Sequence, residues 1–371
     1  MGNKNFIIPN WTNSNLNISA TLAEFLGAPN KNATLPILKR ELDKQYKNVV
    51  FICFDGLGIN PININLDEND FLRKNIKQTL VSTFPSTTTN ATTSLMENQL
   101  PLEHGWFGWS MNFKSINKNV NIFMNTDSWS NEKVEIENSP LGKLNYYFDN
   151  ANSEYQINSI FPGYVKVKRE DRNNVFSNML KFFDIIKTIC NKKAKQFVYA
   201  YYPDPDATMH DYGVTSVEAN KVINDISLNM QKLYKETSDT LFVITADHGQ
   251  VDIEGYVELY KDKKLMDMLE IYPFMEARAP AFIVKNGKHA EFENYFTQTY
   301  GKDFELHKSI ELLEKGYFGD VGDKKHLLGD YIAIGTYTHK QAILVPLMPK
   351  FKGHHTSLTE EMEVPLIILN N

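Results

Sequence analysis

Three short polar clusters, each directly behind an apolar run, carry most of the side chains in this sequence that could do chemistry. Asp55 stands in FDGLG after NVVFIC, Asp206 and His210 stand four residues apart in PDPDATMHDYG after FVYAYY, and Asp247 and His248 are adjacent in TADHGQ after LFVI. A fourth cluster, GHHTSLTEEMEVP, brings His354 and His355 late in the chain. Singly, each has a plain structural use: a strand-end Asp before Gly forms turns, an Asp–His pair caps a helix or decorates its surface, and a doubled His is ordinarily exposed. Together, three aspartates and at least three histidines are the mixed oxygen and nitrogen donor set that Zn2+ prefers and Mn2+ can also occupy. Six such ligands exceed the need of one tetrahedral ion. Two ions about 4 Å apart are the usual arrangement for in-line displacement at phosphorus.

The Ser/Thr-rich tract STFPSTTTNATTS supplies candidates for a nucleophile. A hydroxyl is a poor nucleophile at neutral pH unless a base or a metal lowers its pKa. At a helix N-terminus, free backbone N–H groups and the dipole also favour the phosphate that would become attached there. Thr87, Thr88 and Thr89 stand where a helix is predicted to begin after a sharp turn at Pro85. Helix capping is the competing use for most of these hydroxyls.

Clusters so far apart in sequence can meet only if the fold gathers the ends of several strands. Apolar runs at 48–54, 78–84, 196–202, 240–245, 280–284 and 364–369 read as strands, and 214–237 has helical spacing of Val217, Val222, Ile223, Ile226, Leu228, Met230 and Leu233. This alternation predicts a doubly wound α/β/α sandwich with a mostly parallel central sheet, whose ligands bind at the carboxyl ends of the strands. The first strand follows a lead segment of about 45 residues with a short helix at 20–26. The Lys- and Glu-rich stretch 251–340, with helices at 290–300 and 310–316, reads as a cap inserted into a single domain of residues 1–371.

Composition narrows the function classes. The 371 residues carry 39 basic and 45 acidic side chains for a net charge of −6, with 42% hydrophobic residues, enough for a large core. Such a balance lacks the basic footprint of a protein that grips a nucleic-acid polymer. Cys53 and Cys190 lie in apolar segments and read as buried thiols rather than a disulfide framework. No signal-peptide pattern, myristoylation motif or long apolar run is present, so the expectation is a cytoplasmic protein without a membrane partner.

From FDGLG through TFPSTTTNATTSL, LPLEHGWFGW, DATMHDYG and TADHG to HHTSLTEEMEVPLI, the chain resembles the alkaline phosphatase superfamily, and within it the type I phosphodiesterase and nucleotide pyrophosphatase group. The CxPxR motif of sulfatases, which share that fold, is absent. The resemblance implies that Asp55, Asp247, His248 and the nucleophile surround one metal ion, and that Asp206, His210 and a late histidine hold the other. For that histidine His355 fits best, three residues before Leu358, with His354 as the alternative. For the nucleophile, Thr directly before Phe-Pro would indicate Thr83, whereas alignment by the helix ending at Asn98 indicates Thr88. Thr88 is preferred because Thr83 falls inside the predicted strand. Asn98 replaces an expected glycine.

The implied activity is hydrolysis of a phosphodiester or nucleotide pyrophosphate through a phospho-threonine, with two zinc ions. A phosphomonoesterase, a phosphonate hydrolase, or a non-catalytic phosphate-ester binder are the alternatives. Trp106, Phe107 and Trp109 are candidates to line the pocket or to pack on the core. Glu276 and Arg278 read as a structural pair beside a strand.

Overall fold

The computed structural model describes residues 6–134, 145–163 and 172–371. Its central sheet has seven strands: β1 (Asn48–Phe54), β2 (Ile76–Val81), β3 (Gln156–Pro162), β4 (Asn173–Phe176), β5 (Gln196–Tyr202), β6 (Thr240–Thr245) and β7 (Glu363–Asn370). Their order across the sheet is β2-β7-β6-β1-β5-β3-β4. Strand β1 runs parallel to both β5 and β6, with Val50 opposite Val198 and Phe242. Strand β7 runs antiparallel to both of its neighbours, β2 and β6, pairing Val364 with Leu80 and Ile368 with Val243. Every residue of β1 and β6 is buried. Since successive side chains point to opposite faces, both faces must be covered, which is why these strands are continuous apolar runs.

Helices supply the cover. Helix α1 (Leu16–Phe25) packs on α2 (Thr88–Glu97), while α3 (Met179–Cys190) and α4 (Asp206–Tyr212) pack on α5 (Val217–Glu236). Helix α5 begins at Ser216, whose side chain accepts the Ala219 N–H at 3.0 Å, and buries Ala219, Ile223, Ile226, Met230 and Leu233 along one stripe. Val217 and Leu228, counted with that stripe from spacing alone, instead face solvent. The arrangement is the doubly wound α/β/α sandwich.

A second, antiparallel sheet of seven strands follows the order 304–308, 331–335, 279–282, 274–276, 110–113, 118–121, 126–127. The stretch 251–340 therefore does not build this layer alone, because 110–127 completes it. These early strands, SMNF and KNVN among them, are short and polar and leave little trace in an apolar pattern. The strand expected at 280–284 lies here, as Ala279–Phe282, rather than in the central sheet. The layer has its own core, with Phe84, Phe107, Phe274, Phe318 and Ile332 fully buried.

Candidate active site

Strands β1, β5 and β6 are adjacent and end together, so the loops carrying Asp55, Asp206 and Asp247–His248 meet at one edge. Backbone hydrogen bonds lock them. The Asp55 N–H donates to Tyr202 O at 2.9 Å, and the Asp206 N–H donates to Asp55 O at 3.0 Å. Glycine is required where loops touch: Gly56 has φ +73°, and a Cβ on Gly58 would stand 2.4 Å from the Gly249 Cα. Behind β2, the chain passes through Ser82–Thr87 into α2. The Asn90 amide donates to Phe84 O and Pro85 O at 2.9 and 3.0 Å and fixes this turn.

Thr88 is the first residue of α2, and its Oγ1 lies 3.4 Å from both carboxylate oxygens of Asp55 and 3.3 Å from His248 Nε2. Nε2 of His248 is 3.2 Å from Asp55 Oδ1, 3.5 Å from Asp247 Oδ2 and 3.9 Å from Asp206 Oδ1. Asp206 Oδ1 in turn lies 3.3 Å from His210 Nε2 and 3.8 Å from His355 Nε2. The four clusters and the Thr tract thus converge on one volume, bringing together Asp55, Thr88, Asp206, His210, Asp247, His248 and His355.

Thr83 does not join them. Strand β2 ends at Val81, so Thr83 lies in the turn beyond it rather than inside the strand, and its buried hydroxyl faces Pro85 O at 3.5 Å. Thr87 is the N-cap residue of α2, yet its hydroxyl donates to Glu276 Oε1 at 2.7 Å instead of capping the helix. Asn98 closes the helix at φ +55°, a left-handed conformation that Asn tolerates almost as glycine does.

The donors are arranged for a cation. His210, His248 and His355 each direct Nδ1 at a backbone carbonyl: Gly353 O at 2.7 Å, Gly249 O at 3.0 Å and Ser86 O at 2.7 Å. An imidazole that donates from Nδ1 keeps the Nε2 lone pair for a ligand. Asp247 Oδ1 accepts the N–H groups of Gly56 and His248, both at 3.0 Å, while its Oδ2 is buried with no hydrogen-bond partner. Donor atoms of Asp55, Asp247 and His248 lie within 4.8 Å of one another, as do those of Asp206, His248 and His355. These residues fit divalent metal ions.

Electrostatics point the same way. Burial, and then the charges of Asp247 and Asp206, push the Asp55 carboxyl well above the usual carboxylate range. Burial would raise Asp206 too, but His210 and His248 outweigh it and hold the group at about 2. Burial favours the neutral form of His248, yet Asp247, Asp55 and Asp206 raise it to about 10. A proton on His248 is thus performing in part the neutralisation that a divalent cation would supply.

Several functional contacts carried no motif. The Tyr201 hydroxyl donates to Asp55 Oδ2, and the Gln250 amide donates to Asp206 Oδ1. Gln250 follows His248 by two residues, and Tyr201 ends an apolar strand, so position relative to the clusters was the only signal. Glu276 and Arg278 do not pair. Arg278 donates to Glu361 Oε1 in a fully buried ion pair, whereas Glu276 turns toward Thr87 and accepts the Trp109 N–H at 2.8 Å. Their separation arises because the two side chains leave the second sheet toward different elements. Trp106 and Phe107 are buried in the second core, and Trp109 is 39% exposed.

Residues 49–319 match the sequence model of the type I phosphodiesterase/nucleotide pyrophosphatase family. The chain belongs to that family. No curated protein matches its sequence. Among solved structures, murine ectonucleotide pyrophosphatase/phosphodiesterase 5 is similar with a TM-score of 0.63 at 18% identity, covering 87% of this chain and 88% of its own. Phosphonoacetate hydrolase from Sinorhizobium meliloti 1021 in complex with phosphonoacetate gives a TM-score of 0.62 at 15% identity, covering 86% and 89%. At such identities these neighbours speak for the fold. Membership of that family makes this protein a hydrolase of a metal-dependent family, of the phosphodiesterase and nucleotide pyrophosphatase type. No helix among the described residues is long and apolar enough to cross a membrane.

Proposed function

We propose that this phosphodiesterase-family protein hydrolyses small phosphodiesters or nucleotide pyrophosphates by transient phosphorylation of Thr88, with two divalent ions, zinc preferred. The observation that carries the reading is the Thr88 hydroxyl, 3.3–3.4 Å from the Asp55 carboxylate and His248 Nε2 at the start of a helix. Asp55, Asp247 and His248 would hold one ion with Thr88, and Asp206, His210 and His355 the other. Bound there, the ions lower the pKa of the threonine hydroxyl and offset negative charge on the phosphoryl and leaving oxygens.

Thr88 Oγ attacks phosphorus in line, an O–P bond forms, the bond to the leaving oxygen breaks, and the threonine proton is released. The first turn of α2 then presents its N–H groups and positive dipole end to the attached phosphoryl group. Water attacks phosphorus of the covalent adduct, which still carries the second ester group, from the opposite side; the Thr88 O–P bond breaks, Thr88 recovers a proton and a phosphomonoester leaves. Two inversions give net retention at phosphorus. An inactive form of the murine neighbour carrying a threonine-to-alanine substitution is solved in complex with AMP, which supports both a threonine role and a nucleotide-like substrate.

The reading treats residues 1–371 as one catalytic unit in which the second sheet, drawn mainly from 251–340, forms a wall beside the centre through Glu276. Two free, buried thiols, Cys53 and Cys190, support a reducing, cytoplasmic setting. The test is a panel of mono- and diesters on metal-loaded protein. Bis(p-nitrophenyl) phosphate should turn over faster than p-nitrophenyl phosphate, and the reverse order would replace this reading with a phosphomonoesterase.

A further inference from the structure

His354 stands apart from the other histidines of the centre. His210, His248 and His355 all anchor Nδ1 on a backbone carbonyl, whereas neither ring nitrogen of His354 has a hydrogen-bond partner, although the side chain is only 5% exposed. Buried polar groups are rarely left without partners, and an exception calls for one that binds there. Two surroundings define what that partner is. On one side, Nε2 lies 3.8 Å from Oε2 of Glu276, a carboxylate already fixed through Oε1 by the Thr87 hydroxyl and the Trp109 N–H. On the other, a donor atom of His354 lies within 4.8 Å of donor atoms of both His210 and His355. The rings of His354 and His355 approach to 4.6 Å because the extended pairing of Gly353–His354 with Val251–Asp252 stops at His354.

A buried, unpartnered histidine with a carboxylate on one side and two candidate ligand histidines within reach has the setting of a carboxylate–histidine–metal triad. We propose that His354, held beside Glu276, is an additional ligand of the ion that Asp206, His210 and His355 would hold. This rests on the two-metal reading given above. That position then offers three imidazole nitrogens and one carboxylate, while the Asp55, Thr88, Asp247 and His248 position offers three oxygen donors and one nitrogen. The two positions differ in softness, so the nitrogen-rich one selects Zn2+ or Co2+ over Mn2+, and the oxygen-rich one accepts Mn2+ more readily.

The experiment uses full-length protein stripped of metal and reloaded with Zn2+ or Co2+, with ion content, dissociation constants by chelator competition, and the visible spectrum of the cobalt form as readouts. Wild type should bind two ions. His354→Ala should weaken one of them by tenfold or more, leave the other unchanged, alter the cobalt spectrum and narrow the Zn2+ over Mn2+ preference. Glu276→Gln, which keeps the shape of the side chain, should weaken the same ion by about tenfold. Unchanged constants and an unchanged cobalt spectrum in folded His354→Ala, together with loss of an ion in His355→Ala, would overturn the inference while leaving the two-metal reading intact. A wild-type protein that takes up no ion would overturn both.

Discussion

Replacing Thr88 with alanine isolates the nucleophile from everything else in the centre. The residue is half-buried at the first position of α2, and the hydrogen bond that the Thr92 hydroxyl makes to Thr88 runs to its backbone oxygen, so the helix start survives. Neighbouring hydroxyls are engaged elsewhere, apart from that of Thr89, which is buried without a partner among the described residues. Thr87 is engaged with Glu276, Ser82 with Asp247 O, Ser86 with Glu361 O at 3.1 Å and Thr83 with Pro85 O at 3.5 Å. Asp55, Asp247 and His248 remain to hold the adjacent ion, so metal content should be unchanged. The expected loss is therefore in kcat alone, at least about 1,000-fold, equivalent to about 4 kcal/mol of transition-state stabilisation. Thr88→Ser keeps a hydroxyl in place and should stay within about tenfold of wild type. The assay is hydrolysis of bis(p-nitrophenyl) phosphate by metal-loaded protein, with acid-quenched samples examined by mass spectrometry for a p-nitrophenyl phosphoryl adduct on the peptide containing Thr88. Full activity in Thr88→Ala, with loss in Thr83→Ala instead, would refute the reasoning, because it would put the reacting hydroxyl outside the carboxylate–histidine cluster.

Two further outcomes follow from buried charge. Arg278→Met leaves the Glu361 carboxylate without its buried partner and should cost about 3–5 kcal/mol, read as a lower urea midpoint; a wild-type midpoint would show that the pair contributes nothing. For the chelated protein, His248 is raised from 6.5 to about 10, so its stabilisation is complete below about pH 6.5 and is lost as pH climbs through 10. Asp206, lowered from 3.8 to about 2, contributes above about pH 4 and loses that contribution as pH falls through 2. Asp55 is raised, so its ionisation weakens the fold as pH moves above the ordinary carboxylate range. From about pH 6.5 to 10 the melting temperature of metal-free protein should accordingly decline, with added Zn2+ removing the decline. A flat profile from pH 6.5 to 10 would contradict the charge balance assigned to His248.

The strands that carry the clusters were readable because β1, β5 and β6 are buried on both faces, which forces continuous apolar runs ending abruptly in Asp, Gly or His. Convergence of Asp55, Asp206 and Asp247 then followed from the rule that parallel strands in a doubly wound sheet present their carboxyl ends together. The second sheet was less legible for the opposite reason. Asn112 and Asn119 face each other there with a 2.8 Å hydrogen bond, and such polar pairs erase the alternation that marks a half-buried strand. The partners of Arg278 and Glu276 were not legible at all. Glu361 and Thr87 lie 83 and 189 positions away, and nothing local in EARAPAF distinguishes a residue that will reach the last turn from one that will reach the nucleophile helix. Tyr201 illustrates the same limit: a hydroxyl on an apolar strand gains its meaning only from the aspartate opposite.

The position of β7 has a consequence for how the protein comes into being. Although last in chain order among the sheet strands, it lies inside the sheet, between β2 and β6, and among the described residues is the one strand of this sheet that pairs with β2. Strand β2 leads into the turn and helix that present Thr88, and residues just before β7 present His354 and His355. Nucleophile and late histidines are therefore seated by one closing event between distant parts of the chain, of the kind that loop-closure entropy makes slow. The strand made last thus joins the element that leads to the reactive hydroxyl to the strands that carry the aspartates.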